Sequence, residues 1–229
     1  MSRFGDFLAD YHPSQLDQVR RIKCVDGGYS ELMRKYEALL VNDSDYGVDF
    51  VRNNKNITEI FSSQEINLLL QGAQQYDNQF YSKKTGVIIS CLIQNSYRGG
   101  QNQFLLNTQS LPRIDFMSSH LMGARNKDLV ITNQGDVGNY FGYKALFSSF
   151  IVNSKTGDFC GFNAYESTFI LNGEVGGCCG IGARLCTFKT PILNNLEEMK
   201  QTVLSDYKES RRNTLIYIDN GKEVEISRW

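Results

Sequence analysis

Short apolar runs recur at even spacing through the middle of the chain. The runs at 129–131, 150–152 and 169–171 read Leu-Val-Ile, Phe-Ile-Val and Phe-Ile-Leu, and polar or glycine-rich residues separate them. Runs rich in β-branched and aromatic residues favour strands over helices. Two glycines four residues apart follow each run, which leaves no room for a helix within the repeat. The pattern therefore predicts one strand in each of three successive repeats.

The repeat has a fixed period of 19 residues. Four sets of residues keep this step: Gly138, Gly157 and Gly176; Gly142, Gly161 and Gly180; Ala145, Ala164 and Ala183; and Phe150, Phe169 and Phe188. A period near 20 residues is typical of solenoid folds. We therefore predict a mainly β protein built on a right-handed parallel β-helix, in which each repeat forms one coil.

Residues one period apart lie directly above one another in such a coil. The three phenylalanines are expected to stack inside it, the alanines to fill a narrow part of the interior, and the glycines to mark corners. Asn153 and Asn172 also lie one period apart, and they are expected to form an amide ladder. The repeated residues are thus explained by shape alone.

Helical patterns precede the repeats. Residues 1–85 are predicted to form an α-helical N-terminal region. Its predicted helices cover about 14–24, 29–41 and 63–81. The sequence Ser62-Ser-Gln-Glu65 is a capping box at the start of the third helix, and Lys83-Lys84-Thr85-Gly86 resembles the end of a helix. This region is expected to cover one end of the solenoid, since solenoid ends expose unpaired edges.

The period changes to that of a strand from Val87 onwards. We interpret 91–95 as an early, irregular coil and 104–107 as the start of another. Pro191 is expected to stop the repeats. The β-solenoid is therefore assigned to residues 86–191.

A helix and a β-hairpin are predicted over 192–229, as a C-terminal cap. The helix is expected from Leu196 to about Arg211, with Asn194 or Asn195 as its N-cap. Asn220-Gly221 separates two strand-like runs, and Asn-Gly is a strong hairpin-turn signal.

Composition and charge exclude several classes of function. The 229 residues carry a formal net charge of −1, so binding to nucleic acid through phosphate contacts is not expected. No apolar run approaches the roughly 20 residues that span a bilayer, and the first residues do not resemble a signal peptide. Six scattered cysteines fit a reducing compartment. These features predict a cytoplasmic protein that binds neither membranes nor nucleic acid.

Two glycine- and cysteine-rich features suggest chemistry. Residues 173–182 look like a dinucleotide-binding loop, but the repeat already explains the glycines and no helix is predicted to follow. Four cysteines are close in sequence: Cys160, Cys178, Cys179 and Cys186. They lack a Cys-x-x-Cys pair, and neighbouring residues on a strand point to opposite faces. A metal or iron–sulfur site is the alternative to simple packing of these thiols.

Isolated titratable residues offer a second set of candidates. His12 and His120 are the two histidines, and either could act as a general base. No nucleophile is placed beside them by a motif. Asp136 and Asp158 follow repeated glycines and are expected to bond backbone amides at turns. We therefore assign no catalytic, cofactor-binding or metal-binding residue.

The three repeats resemble a known domain. The glycine pairs at 138/142, 157/161 and 176/180, each preceded by an apolar strand, resemble the glycine-repeat β-solenoid domain of the glutamate synthase large subunit and of a formylmethanofuran dehydrogenase subunit. The resemblance covers about Leu129 to Phe188. Ser148-Ser149 and Ser167-Thr168 stand where that family often has glycine pairs. The resemblance implies a structural role without catalytic residues.

The expected function is that of a non-catalytic scaffold or interaction protein, with a protein partner or a second copy as its target. Strand alternation places Tyr140, Tyr143, Lys144 and Tyr165 on the exposed side, although packing of these tyrosines in the core fits equally. The alternative is an enzyme or a small-ligand binder. Its site would lie between the N-terminal helices and the solenoid and would use three candidates: His120, Asp115 or the Cys178–Cys179 pair.

Overall fold

The elements follow one another as helices, strands, a helix and a hairpin. The computed structural model describes residues 33–34, 36, 57, 60–73, 81–204 and 212–226. In chain order the elements are α1 (Ser63–Ala73), α2 (Tyr81–Arg98), β1 (Gln103–Asn107), β2 (Leu129–Gln134), β3 (Ser148–Val152), β4 (Thr168–Leu171), β5 (Thr187–Thr190), α3 (Leu193–Val203), β6 (Thr214–Asp219) and β7 (Lys222–Ile226). His12 and the predicted helix at 14–24 lie outside the described residues. Within the predicted helix at 29–41, the described residues Met33, Arg34 and Tyr36 are helical.

All seven strands form one open sheet, in the order in which they occur along the chain. The first six are parallel, and β6 and β7 form an antiparallel hairpin. The predicted right-handed parallel β-helix is therefore wrong, because the sheet does not close. Each repeat returns through turns in which Tyr140, Gly142 and Lys144, for example, have φ of 59°, 67° and 51°. Left-handed residues at every second position cannot continue an extended strand.

The predicted 19-residue register is confirmed within the sheet. Phe150 pairs with Phe169, and Phe169 pairs with Phe188. The three rings form the inner phenylalanine stack: their centroids are 4.8 and 4.9 Å apart, and the planes differ by 20° and 8°. All three side chains are fully buried. The predicted amide ladder is also confirmed, since Asn172 Nδ2 donates to Asn153 Oδ1 at 2.8 Å.

Two columns of glycine meet different demands of the backbone. Gly161 has φ of +68°, and a Cβ there would lie 3.1 Å from the rings of both Phe169 and Phe188. Gly176 has no positive φ, but a Cβ there would lie 2.5 Å from the carbonyl carbon of Gly157 in the preceding repeat. The first column is therefore needed for both turn conformation and ring packing, and the second for close contact between backbones.

Helix α2 replaces the strand that we predicted from Val87. Its apolar residues from Val87 to Ile93 are buried, and a short run that is apolar on all sides does not distinguish a buried strand from a buried helix. The helix also completes hydrogen bonds at the first repeat: Ser90 Oγ accepts the Ser119 N–H at 3.1 Å, and Gln94 Oε1 accepts the Met122 N–H at 2.6 Å. The predicted coil at 91–95 is wrong for the same reason, and Lys83–Gly86 lies within α2 instead of ending a helix.

Helix α1 covers the free edge of β1. The predicted capping box is present, with mutual bonds between Ser62 and Glu65. Three residues spaced four apart on α1 (Ser63, Asn67 and Gln71) then bond the backbone of Leu105 and Asn107. These side chains satisfy groups that an edge strand would otherwise leave open to pairing with another chain.

Helix α3 and the hairpin follow the last repeat. The helix begins at Leu193 after Ile192, which makes no side-chain cap, so the predicted start at Leu196 with an asparagine N-cap is wrong. Asn195 is buried and bonds the preceding repeat instead: its Oδ1 accepts the Val175 N–H, and its Nδ2 donates to the Gly173 carbonyl. The helix ends at Val203 and not near Arg211. The predicted hairpin is confirmed.

Candidate functional site

Five half-buried aromatic side chains line the turn segments of the repeats. We call Phe116, Tyr140, Tyr143, Phe159 and Phe162 the outer aromatic strip. In one column, Phe116 stacks on Tyr140 at 4.6 Å and Tyr140 stacks on Phe159 at 4.9 Å, with planes within 8°. In the next column, Tyr143 stacks on Phe162 at 5.7 Å. Rings of the two columns meet edge to face, so the strip forms one continuous surface.

The repeat step accounts for most of the strip. Tyr140 and Phe159 lie 19 residues apart, as do Tyr143 and Phe162. Phe116 precedes Tyr140 by 24 residues, because a turn closed by a bridge between Ala124 and Lys127 lengthens the first repeat. A search at a fixed period therefore misses Phe116. The only sequence signal for it is an aromatic residue near the expected place, once the turn is allowed for.

Cations lie against two rings of the strip. The Lys83 ammonium is 5.9 Å from the centroid of Phe116, and the Lys144 ammonium is 5.1 Å from that of Tyr143. Both distances fall in the range of cation–π contacts. Alternation left Tyr140 and Tyr143 either exposed or packed in the core and predicted Lys144 to be exposed; all three are half-buried.

The carboxylates beside the strip serve the backbone. Asp115 Oδ1 accepts the Asn139 N–H at 2.7 Å, Asn139 Oδ1 accepts the Asp158 N–H at 2.8 Å, and Asp158 Oδ1 accepts the Gly177 N–H at 2.8 Å. Each polar side chain thus bonds the following repeat. The predicted amide-binding role of Asp158 is confirmed, and Asp115 has the same role.

Asp136 also bonds the next repeat. Its Oδ1 accepts hydrogen bonds from the Ser154 hydroxyl and the Lys155 N–H. The pKa of Asp136 is lowered, first by the Ser154 hydroxyl and then by the Lys155 amide, which both favour the charged form. Asp136 and Ser154 help line a shallow depression of about 280 Å³. Its remaining lining residues are Thr108, Gln109, Leu111, Gln134, Gly135 and Asn153, and none belongs to the N-terminal helices.

A smaller aromatic cluster lies further along the turn segments. Phe147 meets Tyr165 edge-on at 6.0 Å, and the Arg125 guanidinium lies 5.2 Å over the Phe147 ring. Arg125 also pairs with Glu166 at 2.5 Å. The hydrogen bond from Arg125 lowers the pKa of Glu166, so the carboxylate stays charged. Tyr165, for which alternation left exposure and core packing open, is half-buried in this cluster.

The cysteines have three different environments. Cys178 is exposed, whereas Cys160, Cys179 and Cys186 are buried. Cys160 and Cys179 occupy equivalent places in successive repeats, and the pKa of Cys179 is raised by the neighbouring Cys160 thiol and by burial. Burial raises the pKa of Cys186 to about 11. Within 33–34, 36, 57, 60–73, 81–204 and 212–226, no three His, Cys, Asp or Glu side chains converge to hold a metal.

The residues of the alternative site do not converge. His120 is buried, and its ring lies edge-on to Tyr143 at 5.0 Å. Phe116 lies four residues before His120 in the first repeat. In the column that contains Phe116, Cys178 lies three repeats further along. At about 4.8 Å a step, roughly 14 Å separates these levels. His120 and the Cys178–Cys179 pair therefore belong to different parts of the molecule, and Asp115 is engaged by Asn139.

Comparisons with known proteins add no identity. No family model, no curated protein and no solved structure matches the chain. The resemblance to the glutamate synthase domain therefore has no support from them and stays an expectation. Among the helices that the structure describes, none is long and apolar enough to span a membrane.

Proposed function

We propose that this protein is a non-catalytic binding protein whose repeats present the outer aromatic strip to a protein partner. The observation that carries the proposal is the alignment of five half-buried rings into one surface at the spacing of the repeats. Aromatic residues are enriched in protein interfaces, because they bury a large area with few rotatable bonds.

The use of the polar residues supports the same proposal. The side-chain oxygens of Asp115, Asn139 and Asp158 accept hydrogen bonds from backbone amides of the next repeat. Groups engaged in this way hold the turn segments at a constant spacing, so the rings that the turns carry are held in fixed positions. A preordered surface loses less conformational entropy on binding than a mobile one.

A protein partner fits the charge better than a nucleic acid does. The chain has a net charge of −1, and the strip is bordered by Asp115 and Asp158 as well as by Lys83 and Lys144. Carboxylates next to the rings would repel phosphates. A mixed polar rim around an aromatic centre is the usual composition of a protein interface.

The first experiment is affinity purification at native level from the source cells, followed by mass spectrometry. The proposal predicts one protein that is recovered at constant stoichiometry. Recovery of the chain alone, as a monomer, would overturn it. A second copy as the only partner would redirect the proposal to self-association through the strip.

Paired variants locate the contact surface. Tyr143→Ser removes a strip ring, and Lys144→Glu reverses a charge while it keeps every ring. We expect each to reduce recovery of the partner at least tenfold. Ile170→Ser is the matched control, because Ile170 is half-buried in the same array but lies on the sheet between the buried Phe169 and Leu171. Equal loss in all three variants would contradict binding through the strip.

A further inference from the structure

Two buried cysteines occupy equivalent places in successive repeats. Cys160 and Cys179 lie 19 residues apart, in the column that also contains Phe141. The backbones of these repeats are hydrogen-bonded there: the Gly161 N–H donates to the Phe141 carbonyl, and the Gly180 N–H donates to the Cys160 carbonyl, both at 2.8 Å. Both side chains are buried, with exposures of 0% and 2%. The repeat therefore sets two sulfur atoms side by side inside the protein.

This arrangement meets the Cα spacing that a disulfide requires. Hydrogen-bonded neighbouring chains lie about 4.8 Å apart, within the roughly 4.4–6.8 Å between Cα atoms that disulfides span. We propose that a hydroperoxide-class oxidant converts the Cys160–Cys179 thiol pair into a disulfide that joins two successive repeats. The site is independent of the outer aromatic strip and of its partner.

The reaction balances with hydrogen peroxide as the oxidant. One sulfur, as thiolate, attacks a peroxide oxygen; an S–O bond forms, the O–O bond breaks, and the departing hydroxide takes up the released proton to give water. The second thiol then attacks the sulfenic sulfur. The S–S bond forms, the S–O bond breaks, and a second water leaves. Two thiols lose two electrons and two protons, and one peroxide becomes two waters.

Burial of the two thiols limits the rate of this reaction. Both side chains are almost completely buried, so a peroxide reaches them only when the repeat opens locally. The raised pKa of Cys179 keeps its thiol protonated at neutral pH, and thiolate is the reactive form. We therefore expect slow oxidation that becomes faster as the pH rises. Once formed, the disulfide restricts the unfolded chain and stabilises the fold.

The remaining cysteines provide internal controls. Cys186 is buried in a different column, where its Sγ donates to the Arg184 carbonyl at 3.3 Å as Ser167 Oγ does to the Tyr165 carbonyl at 3.0 Å. Cys91 is buried in α2. Cys178 is exposed and should react first. Only the Cys160–Cys179 pair is expected to form a cross-link within the described residues.

The test is peroxide treatment of the full-length, reduced protein at pH 7 and pH 9, followed by digestion without reduction. Cleavage after Lys155, Glu166, Glu174 and Arg184 puts Cys160 on peptide 156–166 and the vicinal pair on peptide 175–184. We expect the two peptides to be linked in the wild-type protein and in Cys178→Ser, but not in Cys179→Ser. The oxidised protein should melt about 5–10 °C higher.

Each other outcome counts against the proposal. A link that disappears in Cys178→Ser would show that the exposed thiol is the partner of Cys160. Complete oxidation of Cys178 and Cys186 without the link would show that the pair is not suitably oriented. The Cys178→Ser result does not depend on the stability of a core variant, because Cys178 is exposed.

Discussion

The inner phenylalanine stack and the outer aromatic strip have nearly the same geometry in different surroundings. Ring centroids are 4.8 and 4.9 Å apart inside and 4.6 and 4.9 Å apart in the Phe116–Tyr140–Phe159 column outside. The inner rings are fully buried, and the outer rings are half-buried. The repeat step therefore determines the distance between stacked rings in both places, whereas burial determines how much each stack contributes to the stability of the fold. The inner stack stabilises the fold, and the outer strip is partly accessible to solvent.

The largest effect is expected from the middle of the inner stack. Phe169→Ala removes a fully buried ring that stacks on a neighbour at each face. We expect the free energy of unfolding to fall by about 3–5 kcal/mol, because burial is lost and a cavity remains. Urea denaturation followed by circular dichroism measures it. A loss below about 2 kcal/mol would mean that the column collapses to fill the space, and that the stack is less rigid than its geometry implies.

A glycine that touches the inner stack tests how closely the turns approach it. Gly161→Ala places a methyl group against two rings at a left-handed residue, and we expect a loss of about 2–4 kcal/mol. Gly221→Ala is the control: its φ of +79° imposes a similar strain, but nothing lies within 4 Å of its Cβ position. We expect about 1 kcal/mol there. Equal losses in urea denaturation would assign the whole effect to backbone strain and none to the rings.

The outer strip should contribute less to stability than the inner stack. Tyr140→Ala removes a ring that stacks on Phe116 and Phe159 but is half-buried. We expect a loss of about 1–2 kcal/mol, since stacking itself is worth about 0.5–1.5 kcal/mol and little buried area is lost. The same denaturation experiment measures it beside Phe169→Ala. If the two losses were equal, the outer rings would be part of the core, and their availability to a partner would be in doubt.

The sequence correctly predicted the contacts between equivalent residues of successive repeats. The Phe150–Phe169–Phe188 stack, the Asn153–Asn172 bond and the parallel register all follow from a step of 19 residues. Such features need only a constant period, because identical residues then meet identical neighbours. Two local features were also predicted correctly: the capping box at Ser62 and the Asn220-Gly221 hairpin.

The path that each repeat follows between its strands could not be predicted in the same way, so the predicted closed coil was wrong. It depends on the backbone conformation of residues such as Tyr140 and Lys144, whose positive φ no propensity indicates. Helix α2 was missed because the run from Val87 to Ile93 is buried on every side, which removes the periodicity that distinguishes helix from strand. Phe116 was missed because the first repeat is longer than the others.

The smallest effect is expected at Cys186, because serine occupies the equivalent position in the two preceding repeats. Cys186 occupies the place of Ser148 and Ser167, and its Sγ donates to the carbonyl two residues earlier, as their hydroxyls do. Cys186→Ser should therefore keep this hydrogen bond and change the free energy of unfolding by less than about 1 kcal/mol, although the site is buried. Urea denaturation of this variant beside Cys91→Ser, a buried cysteine in α2 outside the serine column, measures the difference. If Cys186→Ser cost as much as Cys91→Ser, equivalent columns would not share one environment. Residues one repeat apart would then not have equivalent surroundings, and the repeat alone would not explain the similar spacing of the inner and outer stacks.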